Sequence, residues 1–209
     1  VLPPGLVAKI AGVSTCPDAA IASISTAEFA GRSEQANPAC PASSEIGSIS
    51  AGLGAGPGPN YFPGKVYLAG PYKGARLSLA VVAPGLAGPF DLGNVVVRAA
   101  LHVNPETAQV TAVSDPFPTI LHGVILRARD VRLRVDRDET TINPTNCSRM
   151  AVDGEVGGIG GAIFNTASPF QVGSCGDLSF KPKLSLRLFG GTKRGAFPKF
   201  RAVLRMPKG

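Results

Sequence analysis

Cys16, Cys40, Cys147 and Cys175 are the residues of this 209-residue chain whose type and spacing most directly imply chemistry. Thiolates that hold zinc are usually set as CxxC-type pairs. No CxxC is present, and only His102 and His122 could assist. No metal and no cofactor is expected. The preferred use is covalent pairing, which marks an oxidising compartment; four buried free thiols in a cytosolic protein are the alternative. Four cysteines allow three pairings. The local one, Cys16 with Cys40 and Cys147 with Cys175, is preferred. It closes two loops of roughly 25–30 residues, each adding about 3–4 kcal/mol in the chain-entropy treatment.

Other catalytic constellations are weak. The chain has no GxSxG, and a lone His in a strand (His102) or before Gly123 (His122) suits structure better than proton transfer. Asp136, Asp138 and Glu139, with Asp130 nearby, offer oxygen ligands of the kind Ca²⁺ takes. Asp136 and Glu139 also resemble the carboxylate pair of a surface-polymer hydrolase. Arg132, Arg134 and Arg137 lie among them, so ion pairs on a solvated face account for the same pattern. The runs Gly52–Gly56 and Gly154–Gly161 lack the strand–GxGxxG–helix context of a phosphate loop. An enzyme is not the expected reading.

Residues suited to binding are more numerous. Tyr61, Phe62, Tyr67 and Tyr72 cluster in sequence, and loop tyrosines stack on sugars or anchor partners. From Phe180 onward there are nine basic residues, Lys193 and Arg194 among them, and no acidic ones. The net charge of +7 is therefore +9 in that tail and −2 in the first 179 residues. Tyr61, Phe62, Tyr72, Lys193 and Arg194 form the candidate binding set. No aromatic–basic interleaving of the RNA-binding type occurs, so nucleic acid is not an expected partner. Cell-wall polysaccharide or another surface protein is.

Elements that would position these residues are strands. Gly and Pro make up more than one residue in five, and the hydrophobic fraction of 44% supports a core of Val, Leu, Ile and Ala. No membrane span is legible, since every apolar run falls short of about 18 residues. The abrupt start at Val1 reads as an excised internal piece of a longer parent. Residues 1–60 look loop-rich, with one short helix from Pro17 carrying Ile21 and Ile24 on one side. Hairpins are expected across Gly70–Gly74 and Asn104–Thr107. Along Val124–Arg137 the apolar residues change parity, from Leu126 and Ala128 to Val131, Leu133 and Val135. A continuous strand would then bury arginines, so a bulge is expected near Asp130. Strands are also expected near 150–155, 167–172, 180–189 and 200–206, with Leu184, Leu186 and Leu188 facing inward.

Several segments together resemble one family. They are Leu2-Pro-Pro-Gly-Leu, Cys40-Pro-Ala-Ser-Ser-Glu-Ile-Gly, Gly64-Lys-Val-Tyr-Leu-Ala-Gly-Pro-Tyr-Lys-Gly-Ala, Ala87-Gly-Pro-Phe-Asp-Leu-Gly-Asn-Val-Val-Val-Arg-Ala and Asn143-Pro-Thr-Asn-Cys. They are similar to uncharacterised secreted or cell-surface proteins of high-GC Gram-positive bacteria. The resemblance implies surface exposure and a longer parent chain, and it carries no activity. It reads the cysteines as disulfide partners and the motif glycines and prolines as turns.

The expected architecture is all-β. A disulfide-stapled, loop-rich segment over 1–60 with one short helix precedes an antiparallel β-sandwich (Ig-like or jelly-roll-like) over 61–178. Residues 179–209 add basic strands, the edge of that domain or the start of a second module. The expected role is that of an extracytoplasmic structural or interaction module in a larger bacterial cell-surface protein. Binding of anionic cell-wall polysaccharide and surface-polymer hydrolysis are the alternatives.

Overall fold

Short turns between consecutive strands leave antiparallel pairing as the available ladder. The computed structural model describes residues 1–145, 147–174, 183–191, 193, 195 and 197–205. In order, the elements are β1 (Val7–Ala8), α1 (Asp18–Thr26), α2 (Gly31–Ala36), a 3-10 turn (Ala42–Ser44), β2 (Glu45–Leu53), β3 (Asn60–Ala69), β4 (Leu77–Ala87) and β5 (Phe90–Val103). Then come β6 (Val110–Ser114), β7 (Ile120–Leu121), β8 (Val124–Ile125), β9 (Ala128–Val135), β10 (Thr141–Ile142), β11 (Met150–Gly157), β12 (Ile163–Phe170), β13 (Lys183–Phe189) and β14 (Lys199–Arg205). The fold is all-β, and every strand pair in it is antiparallel. The chain divides into two units, Val1–Gln171 and Val172–Gly209.

The first unit is built on a six-stranded sheet in the order β6-β5-β4-β3-β2-β9. Its central strands are apolar at successive positions because both faces are covered. On one face Tyr67, Ala69, Ala80 and Val82 pack against Ile21, Ile24, Cys16 and Cys40 of the stapled segment. On the other, Val66, Leu68, Val81, Ala83 and Val97 pack with Ile46 and Ile49. The layer on the first face is thus the N-terminal segment itself. α1 is the expected short helix, with Pro17 at its N-cap and Ile21 and Ile24 buried. A second helix of six residues, α2, follows it.

Both expected hairpins are present: β3 pairs β4 and β5 pairs β6. Asn104 holds the second turn through its side-chain oxygen, which accepts the amides of Glu106 and Thr107. The expected bulge is there as well. Gly52 pairs Asp130 and Leu53 pairs Ala128, leaving Arg129 as the extra residue. Leu126, Ala128 and Val131 therefore line the same apolar cavity despite their change of parity.

Two expectations need correction. Residues 45–53 are not loop but strand β2, inside the sheet between β3 and β9. The expected boundary at residue 60 thus cuts through the sheet. The second unit carries β13 paired with β14, with the alternation expected for Leu184, Leu186 and Leu188, but these side chains face outward at 60%, 56% and 71% exposure.

Candidate functional site

Cys16 and Cys40 form a disulfide with Cα atoms 5.1 Å apart. Both are buried in the core beside α1, and the Cys16 amide donates to Leu68 O at 2.7 Å. The bridge therefore clamps the helical segment onto β3. Cys147 is also disulfide-bonded, and Cys175 lies outside the described residues. No described cysteine is free.

The tyrosines that cluster in sequence are distributed over three sites. Tyr61 projects from β3 beside the β9 edge. Its hydroxyl donates to Asp130 Oδ2 at 2.7 Å, and Arg132 donates to both partners while lying over the Tyr61 ring. The hydrogen bond to Asp130 holds the Tyr61 phenol above its ordinary pKa, and the Tyr61 and Arg132 donors hold Asp130 below the usual carboxylate range. Phe62, one residue on, faces the opposite side of the sheet, where it lines the apolar cavity with Ile49 and Val81. Tyr72 sits in the β3–β4 turn and donates to Asp115 Oδ2. Lys73 pairs with the same carboxylate, and the Arg98 guanidinium stacks on the Tyr72 ring at 4.1 Å. Burial alone would raise the Asp115 pKa, but the Lys73 and Tyr72 hydrogen bonds outweigh it and lower it. Lys193 lies in the second unit and is exposed; Arg194 falls outside the described residues.

Carboxylates near the bulge act separately. Asp130 serves Tyr61 and Arg132, and Glu139 pairs with Lys9 at 3.2 Å in solvent. Arg137 donates to the carbonyls of Ser43 and Glu45. Among the described residues, no group of three or more His, Cys, Asp or Glu side chains is placed to hold a metal ion. His122 binds Leu92 O through Nδ1 at 2.9 Å and lies against Phe29. His102 is an exposed position of β5. No described helix is long and apolar enough to cross a membrane.

One polar site was not legible in the sequence. Glu34 and Gln35 of α2, Pro63, Gly64, Lys65 and Tyr67 of β3, and Val82 and Pro84 of β4 line a cleft of about 160 Å³. Tyr67 is 1% exposed and Glu34 9%. Glu34 accepts the Ala39 amide through both oxygens, and Lys65 is held by Glu45 at 2.8 Å. Burial pushes the Glu34 carboxyl up, against the Ala39 amide and Lys65, which pull it down. Burial, with Glu45 and Glu34 nearby, also pushes the Tyr67 phenol up, so it stays a proton donor. The available signal was Gly64: a glycine inside a strand marks a close approach. A Cβ there would collide with Val82 O.

The second unit presents an amphipathic ribbon. Pairings Leu184–Leu204, Leu186–Ala202 and Leu188–Phe200 put six apolar residues on one face. Lys183, Arg187, Lys199, Arg201 and Arg205 occupy the other. Both faces are largely exposed.

The fold and site together define a disulfide-braced, all-β module. No protein-family model, curated protein or solved structure matches the chain.

Proposed function

We propose that this chain is an extracytoplasmic interaction module of a larger bacterial cell-surface protein, similar to the secreted family of high-GC Gram-positive bacteria noted above. The observation that carries the reading is the β13–β14 ribbon. Its six-residue apolar face is exposed, and apolar faces of that kind mark contact surfaces. The disulfides support a site of action outside the cytosol, where such bonds persist.

A second reading, a binding module for anionic cell-wall polysaccharide, is favoured by the five cations on the ribbon's reverse face. Charge-led binding of this kind weakens with salt. Two experiments separate the parts. Alkylation of the native chain without reductant is expected to leave all cysteines unlabelled; uptake of four labels overturns the extracytoplasmic reading. Sedimentation with isolated cell walls is expected, and substitution of Leu186 and Leu188 by Ser is expected to weaken it more than neutralising Arg187 and Arg201. The reverse order, with loss of binding in salt, favours the polysaccharide reading. Failure to sediment with walls at any salt concentration removes both wall-directed versions.

A further inference from the structure

We propose that the cleft between α2 and the β3–β4 face binds a single uncharged sugar ring. The side chains at this site are unlike the paired clusters elsewhere on the sheet. Tyr67 is 1% exposed and is one of the residues lining the cleft, and its hydroxyl has no hydrogen-bond partner among the described residues. A buried phenol normally finds such a partner. Here the position beside it is left for a ligand oxygen.

The remaining groups select the chemistry. Glu34 brings acceptor oxygens, Gln35 an amide with both donor and acceptor, and Lys65 an ammonium already engaged by Glu45. A polyhydroxylic ligand, whose hydroxyls donate and accept, uses all of them. With Lys65 and Glu45 neutralising each other, Glu34 leaves the site with one negative charge. That charge disfavours uronates and phosphates. Pro63, Val82 and Pro84 supply apolar walls for the C–H face of a ring. Size agrees: the cleft measures about 160 Å³, and a cavity of roughly 150 Å³ admits one six-membered ring. An anionic glycan is therefore disfavoured at this position, whatever the ribbon of the second unit binds.

The test uses the full chain and a panel of glucose, galactose, mannose and N-acetylglucosamine, with glucuronate and glucosamine as charged counterparts. Binding is read by ligand-observed NMR and by calorimetry. At least one neutral sugar is expected to bind saturably at millimolar concentration. Tyr67→Phe, which keeps the buried ring, is expected to weaken it about tenfold, the worth of one hydrogen bond of this kind. Glu34→Gln is expected to weaken it similarly, and Tyr72→Phe to leave it unchanged. Thermal midpoints report whether each variant remains folded; Tyr67→Phe carries the test if Glu34→Gln does not. No saturable binding of any neutral sugar overturns the proposal. So does binding that Tyr67→Phe leaves intact, or glucuronate binding tighter than glucose. None of these results bears on thiol labelling or wall sedimentation, so this inference and the proposed function fail separately.

Discussion

The Asp91 carboxylate accepts the Gly31 amide through Oδ1 at 2.9 Å, across sixty residues of sequence. Its Oδ2 takes the Arg32 amide at 2.9 Å, and Oδ1 also takes Gly93 N. α2 has no side-chain cap of its own at Ala30. A six-residue helix cannot persist alone in water. The start of β5 thus supplies what the local sequence lacks, and α2 exists only as docked. A Cβ at residue 31 would stand 2.7 Å from that same Oδ1 and 2.8 Å from Gly93 O. Glycine is required by the approach of the carboxylate.

Asp91→Ala is expected to cost about 1–2 kcal/mol, the usual range for a lost cap. Gly31→Ala is expected to cost at least as much, because the Asp91 contact and the β5 backbone cannot both stay in place. Chemical denaturation measures each. The pH dependence has a defined sign. Burial alone raises the Asp91 pKa, but the three amide donors outweigh it and set it below the ordinary value. A depressed carboxylate contributes stability above its unfolded pKa, about 3.9, and loses it as pH falls through the folded value. The gap between wild type and Asp91→Asn should be full at pH 7 and close in strong acid. A gap that widens on acidification would contradict this arrangement.

The Cys16–Cys40 bridge closes a loop of 24 residues' separation and fastens the N-terminal layer that covers one face of the sheet. Replacing both cysteines by Ala is expected to cost about 3–4 kcal/mol. It should also expose Tyr67, seen as a rise in solvent-accessible tyrosine in absorbance or fluorescence quenching. An unchanged urea midpoint would show that the segment docks without its clamp.

All three tyrosines are held above the ordinary phenol value of about 10. For Tyr61 and Tyr72 the main cause is the hydrogen bond to an aspartate; for Tyr67 it is burial. A group whose folded pKa is raised adds stability below its unfolded pKa and loses it as pH rises through the folded one. Phenolate absorbance should therefore show no step at the free-tyrosine position, and stability should fall above that pH. Asp115→Asn is expected to bring only the Tyr72 step down.

Legibility of this fold followed what each face has to satisfy. β3, β4 and β5 were readable because two covered faces demand unbroken apolar runs. The bulge at Arg129 was readable because a change of parity has few other solutions. β2 was hidden. Its sequence, Glu45-Ile-Gly-Ser-Ile-Ser-Ala-Gly-Leu, sets small and polar residues where Lys65, Pro63 and the β9 arginines crowd one face, so alternation is muted. Tyr61 and Phe62 separate because adjacent strand residues point to opposite faces, and Tyr72 lies in the turn at the far end of β3. The Tyr67 cleft needed tertiary information, since α2 reaches it only through Asp91 and the disulfide.

Arg98 offers the most discriminating test of how the polar clusters stabilise the sheet. It is the least exposed cation among the described ion pairs, at 14% for its side chain against 65% for its partner Asp18. Nη1 donates to Asp18 at 2.9 Å and Nη2 to Ser78 Oγ at 2.8 Å, while Nε is buried with no partner among the described residues. The guanidinium also covers the Tyr72 ring. Removing one member of a buried pair is costly when it strands the other charge, but Asp18 is solvated and would not be stranded. Ser78 already donates to Gly70 O and keeps that bond. Packing of the long stem is then the larger contribution. Arg98→Met should cost under about 1 kcal/mol, and Arg98→Ala about 2 kcal/mol more, the price of opening a gap under Tyr72. If Met and Ala destabilise equally, the charge contacts dominate, and the sheet depends on its polar clusters for stability.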